Sequence, residues 1–201
     1  MFVSFDGIDG VGKTTQIEQF CDWLQGQGRE VVFCRDPGTT LLGEKLREIV
    51  LNSGEETTIS ARSEMLLYMA ARAQLVEEII KPALSQGKTV VSDRFLLANI
   101  VYQGYAGGLS VEEVRTVGKV ATDGISPDCT FLLDMDPAKA LQRLNRELDR
   151  VESRGDDYRN QLRAGFLAEA KVMGKSLHVI DADREPEVIQ AEIQAIAASS
   201  L

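Results

Sequence analysis

Gly7, Gly10, Gly12, Lys13 and Thr14 stand in the spacing G-x-x-x-x-G-K-[ST], and the chemistry that this spacing serves is the holding of a polyphosphate. Glycines let the backbone take conformations closed to other residues and come within hydrogen-bonding distance of phosphate oxygens. The loop N–H groups and the positive end of the following helix then surround the anion. Lys13 brings a mobile positive charge to the β and γ phosphates, and the Thr14 hydroxyl is a candidate ligand for Mg²⁺. The nucleotide-binding stretch comprises Gly7, Asp9, Gly10, Val11, Gly12, Lys13, Thr14 and Thr15. A glycine-rich turn carrying Lys-Thr by chance is the alternative, and the flanking elements decide against it.

Those elements are a short apolar strand over residues 1–5 and an amphipathic helix over 14–24, with Ile17, Phe20, Cys21 and Leu24 on one face. Trp23 beside them reads as packing. A second apolar run, 30–34, is expected beside the first strand. Arg35-Asp36-Pro37-Gly38-Thr39-Thr40 then marks a turn at the ligand end of a strand. A helix over 41–51 places Leu42, Leu46, Ile49 and Val50 on one face and leaves Arg47 free. A long helical pattern over 60–86 is kinked or ended by Pro82.

The third strand, 89–93, ends in Asp93, a candidate second ligand for Mg²⁺ or its waters, with a helix N-cap as the alternative role. Residues 94–105 are helical or irregular, and a helix over 110–122 follows. The fourth strand is 129–134. Asp136-Pro137 opens a helix over 137–148, and another covers 157–174. A fifth strand, 177–181, carries His178, the only histidine, in a structural role. A helix over 186–198 closes the pattern. Alternating strands and helices specify an α/β fold: a P-loop NTPase fold with a five-stranded parallel sheet covered by helices on both faces. All 201 residues are expected to form one domain.

Hydrophobic residues make up 44% and charged residues 26%, values of a folded globular chain. The net charge of −9 argues against a surface for nucleic-acid polymers. Cys21, Cys34 and Cys129 show no pairing pattern and read as reduced thiols. No apolar run approaches membrane-spanning length and no leader pattern opens the chain, so a cytoplasmic protein is expected.

Phosphate loops serve kinases, switches and motors alike, and the remaining arginines choose among these. A kinase acting on a small phosphorylated acceptor must hold a second phosphate in line with the first. Arg35 and Arg94 each follow a strand and belong at the ligand end of the sheet, where a guanidinium fork suits phosphate. Arg143, Arg146, Arg150 and Arg154 fall where a helical or loop lid, about residues 143–157, would cover the donor. A solvated charged helix accounts for any one of them equally well.

The chain resembles the thymidylate kinase family, in the nucleoside-monophosphate kinase group, over nearly its whole length. FDGIDGVGKTTQ looks like that family's phosphate loop, RDPGTT its Arg-Glu-Pro-Gly-Gly-Thr segment, and EMLLYMAARAQLVEEIIKPAL its acceptor-side helix. SDRFLLANIVYQG is similar to its Asp-Arg-Tyr…Tyr-Gln-Gly signature, and PDCTFLLDMDPAKALQRLNRELDRVE to its fourth strand and lid. The resemblance implies Mg²⁺-dependent transfer of the γ-phosphoryl group of ATP to dTMP, giving dTDP and ADP, by a homodimer. It places Asp9 on the sugar 3′-hydroxyl, Tyr68 on the thymine ring and Arg72 on its carbonyl edge. Arg94, and more weakly Arg35, would hold the acceptor phosphate, with Tyr102 at the 2′ position and Asn99 and Gln103 lining the pocket. Lys13, Arg94, Arg150 and Arg143 are the catalytic candidates, and Thr14 and Asp93 the metal candidates. Asp36, Ala71 and Ala98 depart from the family pattern near the acceptor. They keep open a kinase for another deoxynucleoside monophosphate, while a regulatory ATPase is a third reading that leaves the acceptor-side arginines unexplained.

Overall fold

The structure, a computed structural model, describes residues 1–53, 57–144, 147 and 149–200. Strands β1 (Phe2–Asp6), β2 (Val31–Arg35), β3 (Thr89–Asp93), β4 (Cys129–Asp134) and β5 (Leu177–Asp181) form a parallel sheet in the order β2-β3-β1-β4-β5. The expectation that the second strand lies beside the first is overturned: β2 pairs with β3, which sits between them. The burial pattern gives the reason. β1 and β3 are apolar and covered on both faces, as central parallel strands must be, whereas Phe33 in β2 is half exposed, as an edge strand permits.

Side chains alternate across the sheet. Phe5 and Phe131 meet Phe20 of α1 (Lys13–Gly26) on one face, with ring centroids 5.3 to 5.9 Å apart. α9 (Pro186–Ser200) completes that layer through Ile193, while α8 (Asp156–Met173) packs against residues 100–105, where Phe166 meets Tyr102 at 6.2 Å. Trp23 stacks on Phe20 at 5.6 Å, the packing role expected of it. Phe2, Val90 and Phe95 pack on the other face against Leu75, Val76 and Ile80.

Those residues lie in the long helix expected over 60–86. It begins as α3 (Ala61–Leu75), capped by the Ser60 hydroxyl accepting from the Ser63 N–H, and ends as α4 (Lys81–Ser85). Between them Val76–Ile80 forms a widened π turn. Pro82 lacks an N–H and its ring crowds the carbonyl four residues earlier, Glu78, which lies in that widened turn. The chain therefore passes the proline without ending the helix.

Two further expectations change. In α2 (Leu41–Asn52) the buried residues are Gly43 and Val50, while Leu42 and Ile49 are exposed, so the face that turns inward also carries Arg47. The helix after Asp136 is α7 (Pro137–Gln142), shorter than the expected 137–148. Asp136 caps it by accepting from the N–H groups of Ala138 and Lys139. Arg146 lies outside the described residues. Residues 94–105 hold the four-residue α5 (Leu96–Asn99) and a π turn, Ile100–Tyr105, and α6 (Val111–Ala121) follows, capped by Ser110.

Candidate active site

The loop between β1 and α1 stands at the carboxyl end of the sheet. Gly7, Gly10 and Gly12 have φ of +137°, +86° and +93°, which a side chain would strain. A Cβ on Gly10 would also lie 2.1 Å from the Ala140 carbonyl oxygen of α7. Lys13 Nζ donates to the Gly7 and Ile8 carbonyls at 3.1 and 2.8 Å and sits 3.6 Å from Asp9 Oδ1. Burial, and then Arg94, press the Lys13 ammonium below the usual lysine range, with Asp9 opposing.

Asp93 lines the same cleft as Gly10, Gly12, Lys13, Thr14 and Thr15. Its Oδ1 is buried without a hydrogen-bond partner, and α5 begins at Phe95 without a side-chain cap, so Asp93 is not an N-cap. A hydroxyl and an unpartnered carboxylate oxygen are the hard donors that Mg²⁺ takes alongside phosphate and water. Among the described residues no group of three or more His, Cys, Asp and Glu is disposed to hold a metal, so such an ion would depend on the nucleotide for most of its ligands.

A second cavity adjoins the first at Asp9, which lines both. Arg94 stands between them in a left-handed conformation, φ +68°, unusual for a residue with a Cβ. Its backbone N–H donates to the Phe5 carbonyl at 2.8 Å. Its guanidinium donates to the Gly7 carbonyl at 2.9 Å and to Asp9 Oδ1 at 2.7 Å, and lies over the Tyr102 ring at 5.2 Å. The Tyr102 hydroxyl reaches Asp9 Oδ2 at 3.5 Å.

Arg72, fully buried in α3, forms the far wall. Its Nε donates to Asp36 Oδ2, its Nη1 to Asn99 Oδ1 and its Nη2 to the Phe95 carbonyl. Asn99 donates in turn to Gln103 Oε1 at 2.6 Å. Asp36, Tyr68, Arg72, Ala98, Asn99, Tyr102 and Gln103 all line this cavity; Ala71 is buried outside its lining.

Arg35 does not join them: its guanidinium is held at the surface by both oxygens of Glu44, at 3.1 and 3.2 Å. Arg47 occupies the wall instead, donating to the Pro37 carbonyl at 3.1 Å. Burial, and then the nearby charges of Arg35 and Arg94, lower its pKa, with Tyr68 and Glu44 opposing. Sequence reading passed over Arg47. The signal was the i, i+4, i+7 face of Gly43, Arg47 and Val50, which competed with a more apolar stripe.

The lid candidates divide. Arg143 lines the phosphate-loop cleft, donating to the Ala182 carbonyl at 3.3 Å. Arg150 turns instead toward α2 and α3, where it donates to the Val50 carbonyl at 2.8 Å and, with Arg154, to Glu64. His178 lies beside Phe131 in β5, away from either cavity.

Asp6, at the end of β1, is wholly buried with both carboxylate oxygens unpartnered. Burial raises its pKa from 3.8 to about 7, against the opposing charges of Arg94 and Lys13.

The family model for thymidylate kinase matches residues 5–193. A thymidylate kinase of Bifidobacterium longum (strain NCC 2705) is 44% identical over 197 residues, 97% of this chain and 96% of the relative. One from Thermosipho africanus (strain TCF52B) is 42% identical over 202 residues, 100% of this chain and 99% of the relative. The crystal structure of thymidylate kinase from Ehrlichia chaffeensis superposes with a TM-score of 0.80 at 31% identity, covering 98% of each chain.

Proposed function

The chain belongs to the thymidylate kinase family, and from that premise we infer that it transfers the γ-phosphoryl group of ATP to dTMP, giving ADP and dTDP. The observation that carries this reading is the meeting of two cavities at Asp9, one built to hold a polyphosphate and the other lined by Arg47, Arg94 and a buried base-edge arginine. A switch or regulatory ATPase has no use for the second cavity.

Backbone N–H groups of the phosphate loop would hold the donor, with Lys13 following charge onto the transferring group. Arg94 and Arg47 would hold the acceptor phosphate so that one of its oxygens lies in line with the γ-phosphorus. That oxygen forms the new bond as the bond to the β-phosphate oxygen breaks. The acceptor is already ionised, so no general base is required, and catalysis rests on positioning and charge. Tyr68 would face the thymine ring, Arg72 with Asn99 and Gln103 its polar edge, and Asp9 with Tyr102 the sugar. Thr14 and Asp93 would hold Mg²⁺, which when bound neutralises charge on the phosphates. Arg143 is the lid arginine on the donor side, while Arg150 turns toward α2 and α3.

A homodimer fits α2, α3 and α6, which leave Leu42, Ile49, Leu66 and Val120 exposed. Among the described residues no helix is long and apolar enough to cross a membrane. Burial pushes the Cys34 thiol up to about 12 and those of Cys21 and Cys129 up to about 11, which keeps all three protonated and unreactive. A coupled ADP-release assay with Mg·ATP and each of the four common deoxynucleoside monophosphates tests the assignment. Stimulation by dTMP above the others is expected, and ATP hydrolysis indifferent to all four would overturn it.

A further inference from the structure

Glu64 of α3 is almost wholly buried and does not line the acceptor cavity, yet three side chains from two other segments converge on its carboxylate. Oε1 accepts from Gln103 Nε2 at 3.0 Å. Oε2 accepts from Arg154 Nη2 at 2.7 Å and from Arg150 Nη2. Asp149 and Val151, beside Arg150, line the cavity, so the segment fastened to Glu64 forms part of its wall.

The hydrogen bonds from Arg72 to Glu64 have a direction. A guanidinium can only donate, so Asn99 must turn Oδ1 to Arg72 and therefore Nδ2 to Gln103. Gln103 answers with Oε1, which leaves its Nε2 facing Glu64. An ionised carboxylate can only accept. The donor-only and acceptor-only ends agree, so the two amides between them have one satisfied orientation. Asn99 and Gln103 both line the cavity, and the lone pairs and N–H groups they offer to a bound base are fixed by that orientation.

We infer that Glu64 is a positioning residue that helps decide which pyrimidine the cavity accepts, by locking, together with Arg72 at the other end, the hydrogen-bond direction of Asn99 and Gln103 and by seating Arg150 and Arg154 against the cavity wall. The inference rests on the kinase reading above. Thymine presents an N3–H donor beside its O4 acceptor, whereas cytosine presents an N3 acceptor beside an amino donor. A wall of amides locked in one direction distinguishes these patterns, and a wall free to invert does not.

The test uses Glu64→Gln, which keeps size and shape but cannot accept on both sides. Either the arginines or Gln103 then faces a donor. The double variant Glu64→Gln with Gln103→Glu restores the direction: residue 64 accepts from the arginines and donates to residue 103, which still accepts from Asn99. Affinity for dTMP and dCMP is read by calorimetry, and turnover by ADP release.

Glu64→Gln is expected to raise the dTMP dissociation constant and KM about tenfold to a hundredfold, the worth of one buried charge-assisted hydrogen bond, with a smaller change in kcat. Preference for dTMP over dCMP should fall by a similar factor, and the double variant, which restores the direction at Asn99 while altering the group residue 103 offers the base, should recover the preference in part. Unchanged affinity and preference in Glu64→Gln overturns the inference. So does a double variant that is unfolded, inactive or unselective. If Glu64→Gln alone does not fold, a folded and dTMP-selective double variant supports the inference equally. Failure of the wild type to turn over dTMP would count against the kinase reading alone, because the direction of the amides is still read from binding.

Discussion

The two cavities that meet at Asp9 are built by opposite means. The donor cleft takes most of its lining from one continuous stretch, residues 9–16, and depends on glycine conformations that admit close approach. The acceptor cavity is made of side chains from α2, α3, β3 onward and the segment around Asp149, joined by a buried chain of hydrogen bonds. A backbone cradle tolerates change at most side chains and fails at a few points. A side-chain network is vulnerable at every member, because removing one partner leaves another buried polar group unsatisfied. Damage on the donor side should therefore appear in the chemical step, and damage on the acceptor side in stability and specificity.

Arg72→Ala attacks that contrast most strongly. It strands the fully buried Asp36 and the Asn99 amide, at a cost of about 3–5 kcal/mol of stability, and should abolish dTMP binding. Chemical denaturation and calorimetry measure the two effects, and a variant as stable as the wild type would refute the network view. Lys13→Ala should do the reverse. Loss of about 3–4 kcal/mol of transition-state stabilisation lowers kcat by two to three orders of magnitude while the melting temperature holds or rises, since a buried ammonium is removed. A kcat within tenfold of the wild type would break the donor-side assignment.

Asp6 ends β1 just before the phosphate loop, within reach of the charges of Arg94 and Lys13, and its effect follows from linkage. Its carboxyl titrates near 7 in the fold and near 3.8 in the unfolded chain, so the folded state favours the protonated form. The stability this contributes is fully present below pH 3.8 and is lost as pH rises through 7. Asp6→Asn should therefore be more stable than the wild type at pH 8, by on the order of 4 kcal/mol, with the difference vanishing toward pH 4. Thermal melts across that range check it, and a pH-independent difference would rule the mechanism out.

Tyr102→Phe is the mildest probe. It removes a hydroxyl 3.5 Å from Asp9 at the junction of the cavities, and a rise of a few-fold in dTMP KM with kcat nearly unchanged is expected. A large fall in kcat would mean that the junction belongs to the donor side.

The sequence by itself determined the parts whose constraints are local. Gly7, Gly10, Gly12, Lys13 and Thr14 announce the phosphate cradle because its geometry is made within one loop, and the strand–helix alternation announces a parallel sheet because both faces of each strand must be covered. The cap at Asp136 belongs to the same class. Only the tertiary structure placed β2 at the edge, brought Arg47 rather than Arg35 to the acceptor wall and turned Arg150 toward Glu64. Strand order depends on which apolar faces can be covered together, and an arginine's partner depends on carboxylates and carbonyls that are distant in sequence. The spacing of residues along the chain carries no record of either, because both are fixed by packing between segments that meet only in the folded state.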